Sequence, residues 1–166
     1  MIFKYKIPNF ENHKIKIINL IDNNINYSIK NEEETISKTD WQLPENLKQE
    51  YFFYLKDNIL IDFNKDFLKK INAKKIYYNN YWFQIYQLGD SHSPHRHTNC
   101  MFTNIIFLNL PKANVKTNVW NLDNTKLDFT VNEGDIITFP GCLLHESPKN
   151  IFFERKIIVS FNTNVA

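Results

Sequence analysis

From residue 74 onward the chain is a succession of short segments rich in β-branched and aromatic residues: "KKIYYNNYWFQIYQL", "MFTNIIFLNL", "TNVWNL", "LDFTV", "DIITF" and "KIIVSFNTNV". Pro or Gly stands between several of them. Brief apolar segments bounded by turns predict an antiparallel β sandwich or barrel. The half before residue 74 has a different rhythm. "NFENHKIKIINLIDNN" spaces Ile15, Ile17, Ile18 and Leu20 acceptably for a helix, although its β-branched content leaves a strand open. "EEETISKTDWQLPEN" is polar, carries Pro44 and reads as loop. From Glu45 to Asn72, Leu47, Tyr51, Tyr54, Leu55 and Ile59 recur at helical intervals and predict one long helix or two consecutive ones. With no internal repeat or linker, the expectation is a single domain over residues 1–166. Its helical part, about 1–74, is expected to pack on a sheet from the β part, about 75–166.

Composition excludes several classes of function. The chain has 166 residues, 43% of them hydrophobic and 23% charged, which is ordinary for a globular core. A net charge of only +2, with both signs interspersed, disfavours nucleic acid as partner. No apolar run approaches the ~20 residues of a membrane span. "MIFKYKIPNF" lacks the apolar core and cleavage site of a signal peptide. Two cysteines, Cys100 and Cys142, make no disulfide framework, so a reducing cytoplasmic setting is expected. The three glycines, Gly89, Gly134 and Gly141, cannot build a phosphate-binding loop. All three lie near histidines instead.

Of five histidines, three fall in "SHSPHRHTNC": His92, His95 and His97. Side chains two apart on a strand share a face, so His95 and His97 would present two imidazoles to one ion, with His92 facing away or giving support. "EGDIITFPGCLLHE" delivers His145, a third imidazole that could complete a facial set and leave open positions on the metal. "ERKIIVSF" then puts Arg155 at the start of the last strand, where a guanidinium suits a carboxylate.

H-x-H, then G-D-x-x-x-F-P-x-x-x-x-H, then E-R before "SFN", resembles the iron(II)- and 2-oxoglutarate-dependent oxygenases. The preceding "YWFQIYQLGDSHSPH" is similar to the small bacterial and phage-encoded branch with H-x-H, which allows a virus-encoded protein acting in host cytoplasm. The likeness covers residues 81–163 and, more faintly, "KTDW" at 38–41. It implies a double-stranded β-helix (jelly roll) with N-terminal helices on its larger sheet. It also implies Fe(II) on His95, His97 and His145, with 2-oxoglutarate and O2 as co-substrates. By the same resemblance Arg155 pairs with the distal carboxylate of 2-oxoglutarate, and Tyr86 can donate a hydrogen bond to it. The implied reaction hydroxylates a small molecule or a protein side chain and releases succinate and CO2; self-association into a homodimer is left open.

Three departures accompany the likeness. The three imidazoles bring no negative charge, Phe107 replaces a frequent tyrosine, and one residue too many separates Arg155 from Phe161. Asp90, Asp135 and Glu146 adjoin the motif as substitute carboxylates. A cupin-type three-histidine dioxygenase without 2-oxoglutarate, with Gly89 and Gly134 opening its motifs, is the competing enzyme reading. Against it, the glutamate such a motif places after His97 is absent. A non-catalytic β-sandwich binding module is the competing reading outside enzymes, and a Cys2His2 zinc site from His97, Cys100, Cys142 and His145 is a minor one.

Overall fold

The computed structural model describes residues 2–44, 47 and 49–166. Its strands are β1 (Phe3–Lys6), β2 (Tyr27–Lys30), β3 (Thr35–Thr39), β4 (Ile76–Tyr86), β5 (His92–His95), β6 (Phe102–Asn109), β7 (Asn118–Val119), β8 (Asp135–Pro140), β9 (His145–Ser147) and β10 (Lys156–Val165). The helices are α1 (Phe10–Asp22), α2 (Glu50–Asn58) and α3 (Leu60–Ile71). A seven-stranded sheet runs β1-β8-β6-β10-β4-β3-β2, and a three-stranded sheet runs β5-β9-β7. All the pairings within both sheets are antiparallel. This is the mainly β architecture with N-terminal helices expected from the sequence.

Alternation along the central strands divides the core in two. Phe83 and Ile85 of β4, Ile106 and Leu108 of β6, and Ile157, Val159 and Phe161 of β10 pack against the helices. Their neighbours in sequence, Tyr86, Ile105, Phe107 and Ile158, face the space between the sheets. The helices earn their places through apolar faces. In α3, Leu60, Phe63 and Phe67 are buried, and the rings of Phe63 and Phe67, one turn apart, stack at 5.8 Å. Burying such a phenylalanine is worth about 2–3 kcal/mol. The helical span breaks at Ile59, whose backbone leaves the helical range (φ −129°, ψ −50°), giving the two consecutive helices. Residues 45, 46 and 48 at the start of that expected span lie outside the described residues.

Two expectations are corrected here. The N-terminal part is not purely helical: β1 forms one edge of the large sheet, and β2 forms the other with β3 beside it. β3 lies within the tract read as loop, and its apolar content is nearly confined to Ile36, which is fully buried. "LDFTV" is irregular rather than a strand, joined to β7 by one backbone bond from Leu127 to Val119. Gly134 opens β8 at φ +81°, and a Cβ there would sit 2.6 Å from the ring of Phe10. A side chain at this position would drive α1 off the sheet.

Asp40 fastens the helical layer to the sheet. One carboxylate oxygen accepts the Phe83 N–H of β4 at 2.8 Å. The other accepts Tyr51 Oη of α2 at 2.7 Å, Gln49 Nε2 at 2.7 Å and Asn24 Nδ2 at 3.1 Å. Asp40→Ala strands the Phe83 and Tyr51 donors in the interior and should cost about 3 kcal/mol. Urea unfolding checks this, and an unshifted midpoint would remove Asp40 from the role of clamp.

Candidate metal centre

The site lies between the two sheets, at the open end of the second core. His95 and His145 are direct partners across β5 and β9, which places their rings 4.3 Å apart. His97 follows β5 rather than lying on it. Its N–H donates to the Gly141 carbonyl at 2.9 Å, and the Gly141 N–H donates to the Met101 carbonyl at 3.0 Å. A Cβ on Gly141 would meet Cys100 Sγ at 2.7 Å and the Cys100 carbonyl at 2.9 Å, so the loop closes only over glycine. The His97 ring thereby sits 5.2 Å from His95 and 5.0 Å from His145. One ligand atom from each of the three lies within 4.8 Å of the others, the one such cluster among the described residues.

The chemistry of these donors suits a metal ion. Nδ1–H of His95 donates to the Ser93 carbonyl at 2.7 Å, and Nδ1–H of His145 to the Leu143 carbonyl at 3.0 Å. Both bonds fix the tautomer that leaves Nε2 as a bare lone pair. Nε2 of His97 is buried without any hydrogen-bond partner. Burial pushes all three imidazoles below their ordinary pKa, His97 to about 4, so the neutral form that binds metal prevails at pH 7. A nonpolar wall of Ile105 and Ile158 and a cavity of ≈ 20 Å³ adjoin them.

His92 does not face away as strand alternation predicts. In the β5–β9 ladder His92 pairs with Ser147 and His95 with His145, three residues against two. This bulge around Pro94 returns His92 to the face of His95, on which it stacks at 4.0 Å. Gln84 Nε2 donates to its Nδ1 at 3.0 Å, and its Nε2 faces Glu34 at 3.1 Å. Glu34 was not legible as a site residue, because it arrives with β3 through the Thr35–Ser91 bridge.

Tyr86 lines the cavity, with its hydroxyl buried and unpaired. Arg155 does not. It precedes β10 and forms a bidentate ion pair with Asp22 at the end of α1, both oxygens at 2.7 Å, on the surface. The cation that faces the site is the next residue, Lys156. It shares a face with Ile158 and Ser160, pairs across the sheet with Tyr86, and is fully buried. Its ammonium donates to Ser147 Oγ at 2.7 Å and lies 5.1 Å from the centre of the Tyr86 ring. No carboxylate among the described residues pairs with it, and burial pushes its pKa down to about 7. The surplus residue counted between Arg155 and Phe161 was the signal: counting from Lys156 removes it.

None of the three adjoining carboxylates joins the histidine cluster, although Glu146 lines the same cavity. Asp90 accepts from Ser37 and from the Gln87 N–H, Asp135 from the Asn132 N–H, and Glu146 from Asn118. Cys100 is half-buried and Cys142 exposed, and neither joins the histidine cluster. No helix among the described residues is long and apolar enough to cross a membrane.

No family model matches the chain, and no curated protein matches it in sequence. Solved structures do match. An oxidoreductase of the 2OG-Fe(II) oxygenase family from Burkholderia pseudomallei superposes with TM-score 0.70 at 12% identity, over 96% of this chain and 83% of that one. A prolyl-4-hydroxylase from Pseudomonas putida gives 0.65 at 10% identity over 97% and 91%. A viral collagen prolyl hydroxylase from Paramecium bursaria Chlorella virus-1, solved with 2OG, gives 0.58 at 16% identity over 98% and 94%. By its architecture, the chain has the jelly-roll fold of the 2OG-Fe(II) oxygenases.

Proposed function

We propose that the chain is an Fe(II)- and 2-oxoglutarate-dependent dioxygenase that hydroxylates its substrate. The observation that carries this reading is one cavity face holding three neutral imidazoles and, beyond them, a buried ammonium bonded to Ser147 with no described counter-ion. Among the described residues, a lysine buried without a counter-ion is costly unless a ligand supplies the anion. Lys156 meets Ser147, and Ser147 and His145 sit two residues apart on β9, about 7 Å along the strand. A dicarboxylate of five carbons fits that separation, with its keto acid end at the histidines and its distal carboxylate at Lys156.

In this reading His95, His97 and His145 hold the metal. Lys156 takes the role expected of Arg155, and Tyr86 donates its hydroxyl proton to the same carboxylate. Iron bound there supplies oxygen activation coupled to decarboxylation of 2-oxoglutarate to succinate and CO2. The protein's part is to orient and to keep dry. The carbonyls of Ser93 and Leu143 fix two imidazoles, and Gly141 fixes the loop of the third. Phe139 packs edge-on to His145 at 5.0 Å and helps to exclude water. Three imidazoles without a carboxylate leave the co-substrate as the source of negative charge at the metal. A three-histidine dioxygenase working without 2-oxoglutarate would leave Lys156 with no anion to bind.

Anaerobic titration with Fe(II) should give a visible charge-transfer band only when 2-oxoglutarate is also present. Absence of the band in the wild type overturns the proposal. His97→Ala should lower iron affinity at least about tenfold, as a lost metal ligand must; unchanged affinity would remove His97 from the ligand set.

Lys156→Met should weaken 2-oxoglutarate binding by about a hundredfold, the scale of a lost buried charge pair. Arg155→Ala should leave that binding unchanged and cost stability by only about 0.5 kcal/mol, as an exposed ion pair does. The opposite pattern, with Arg155→Ala weakening the co-substrate and Lys156→Met not, returns the role to Arg155.

A further inference from the structure

β4 carries the site further than the histidines. Asn80, Trp82, Gln84 and Tyr86 lie two apart on an unbroken stretch of the ladder with β10 and so share one face; the register jump of β4 comes just before Asn80. Gln84 and Tyr86 line the metal cavity, whereas Asn80 lines a groove of ≈ 470 Å³. Trp82 belongs to both, and its ring lies 5.6 Å from that of His97. A molecule in the groove therefore abuts the wall of the metal cavity.

The walls of the groove are aromatic. Trp41 inclines to Trp82 at 40° with ring centres 6.3 Å apart, which makes an open corner. Tyr78 and Tyr81 continue the surface, and Tyr81 is held flat on Phe52 at 3.7 Å. Trp41 is set in place by the turn after it: Gln42 has a left-handed backbone (φ +65°), and Tyr27 donates its hydroxyl to the Trp41 carbonyl.

Apart from Asp40, the polar side chains among the described lining residues are neutral. The side-chain amides of Gln42 and Asn80 are exposed and make no hydrogen bond to the described residues. The one described charged residue in the lining, Asp40, is 1% exposed and its carboxylate already accepts four donors. No described cation lines it. Aromatic faces beside amides, which both donate and accept, complement an uncharged ring with hydrogen-bonding groups on its edge.

We infer that this groove is the substrate subsite, and that it takes an uncharged ring compound with a polar edge, a sugar ring or a nucleoside base. The assignment to a substrate rests on the dioxygenase reading; the binding itself does not. The ring lies against Trp41 and Trp82, Gln42 and Asn80 read its edge, and the atom to be oxidised points past Trp82 toward the histidines.

Tryptophan fluorescence of the metal-free protein tests the subsite whether or not iron binds. In a Trp120→Phe background the emission comes from Trp41 and Trp82 alone. The probes are methyl glucopyranoside, methyl ribofuranoside, adenosine and uridine, with adenosine monophosphate for comparison. Saturable quenching is expected from one sugar or one nucleoside, and which of them responds separates the two sources. Asn80→Ala and Gln42→Ala, both at exposed positions, should each weaken it about fivefold, the loss of one hydrogen bond.

The inference fails if none of the four neutral probes quenches, or if both amide variants bind like the parent. It fails also if adenosine monophosphate binds more tightly than adenosine. If quenching holds but the iron and 2-oxoglutarate band never forms, the groove stands as a ring-binding site and the dioxygenase reading falls. If the band forms and no probe binds, the reverse is true.

Discussion

Strand alternation along β10 is the constraint on which the rest of the structure depends. Ile157, Val159 and Phe161 point to the helices, whereas Lys156, Ile158 and Ser160 point between the sheets. β4 and β6 flank β10, each with one register shift, and repeat the same division. A one-residue slip would turn the buried ammonium into the helical core and the isoleucines into the cavity. The chain thus fixes the chemistry of the site with the same periodicity that builds its hydrophobic layers. The Asp22 pair with Arg155 links the residue before β10 to the end of α1 at the surface.

Satisfied and unsatisfied polar groups are distributed unevenly. Asp40 is as buried as Lys156, yet four donors surround it, and it serves to join α2 and β4. Around the cavity the balance is reversed. Among the described residues, the buried side-chain polar atoms without partners are Tyr86 Oη, His97 Nε2 and Thr117 Oγ1, and all three residues line it. Each such group costs about 1–3 kcal/mol relative to a bonded one. Their concentration at one place, beside a lysine without a counter-ion, marks where a metal and an anionic ligand would restore the balance.

Much of this was legible in the sequence, though sometimes for a different reason. His95 and His97 do share a target, but β5 ends at His95, and Gly141, not strand alternation, brings His97 to it. His92 escaped the alternation rule through the bulge at Pro94, which a residue count on one strand cannot reveal without its partner's register. Arg155 and Lys156 are adjacent, and the motif alone favoured the arginine. The spacing to Phe161 held the correction, because in a strand an offset of one is a change of face. β2 and β3 were hidden by polar composition: β2 is an edge strand with no fully buried residue, and β3 beside it owes its place to a few side chains such as Ile36 and Thr39.

The charge inventory ties the parts together. No carboxylate joins the histidine cluster and no described carboxylate pairs with Lys156, so negative charge at the ligands themselves is in deficit, although Glu146 lines the cavity and Glu34 faces His92. A divalent cation alone would deepen that deficit; a dicarboxylate alone would meet Lys156 but not the histidines. Each ligand therefore improves the site for the other, and linkage requires the gain to be mutual. A site with a carboxylate among its ligands carries part of that compensation in its own chain and needs less coupling. Among the described residues, Lys156 and the bare imidazole lone pairs share one face, so under the proposed function occupancy of either end would raise the affinity of the other.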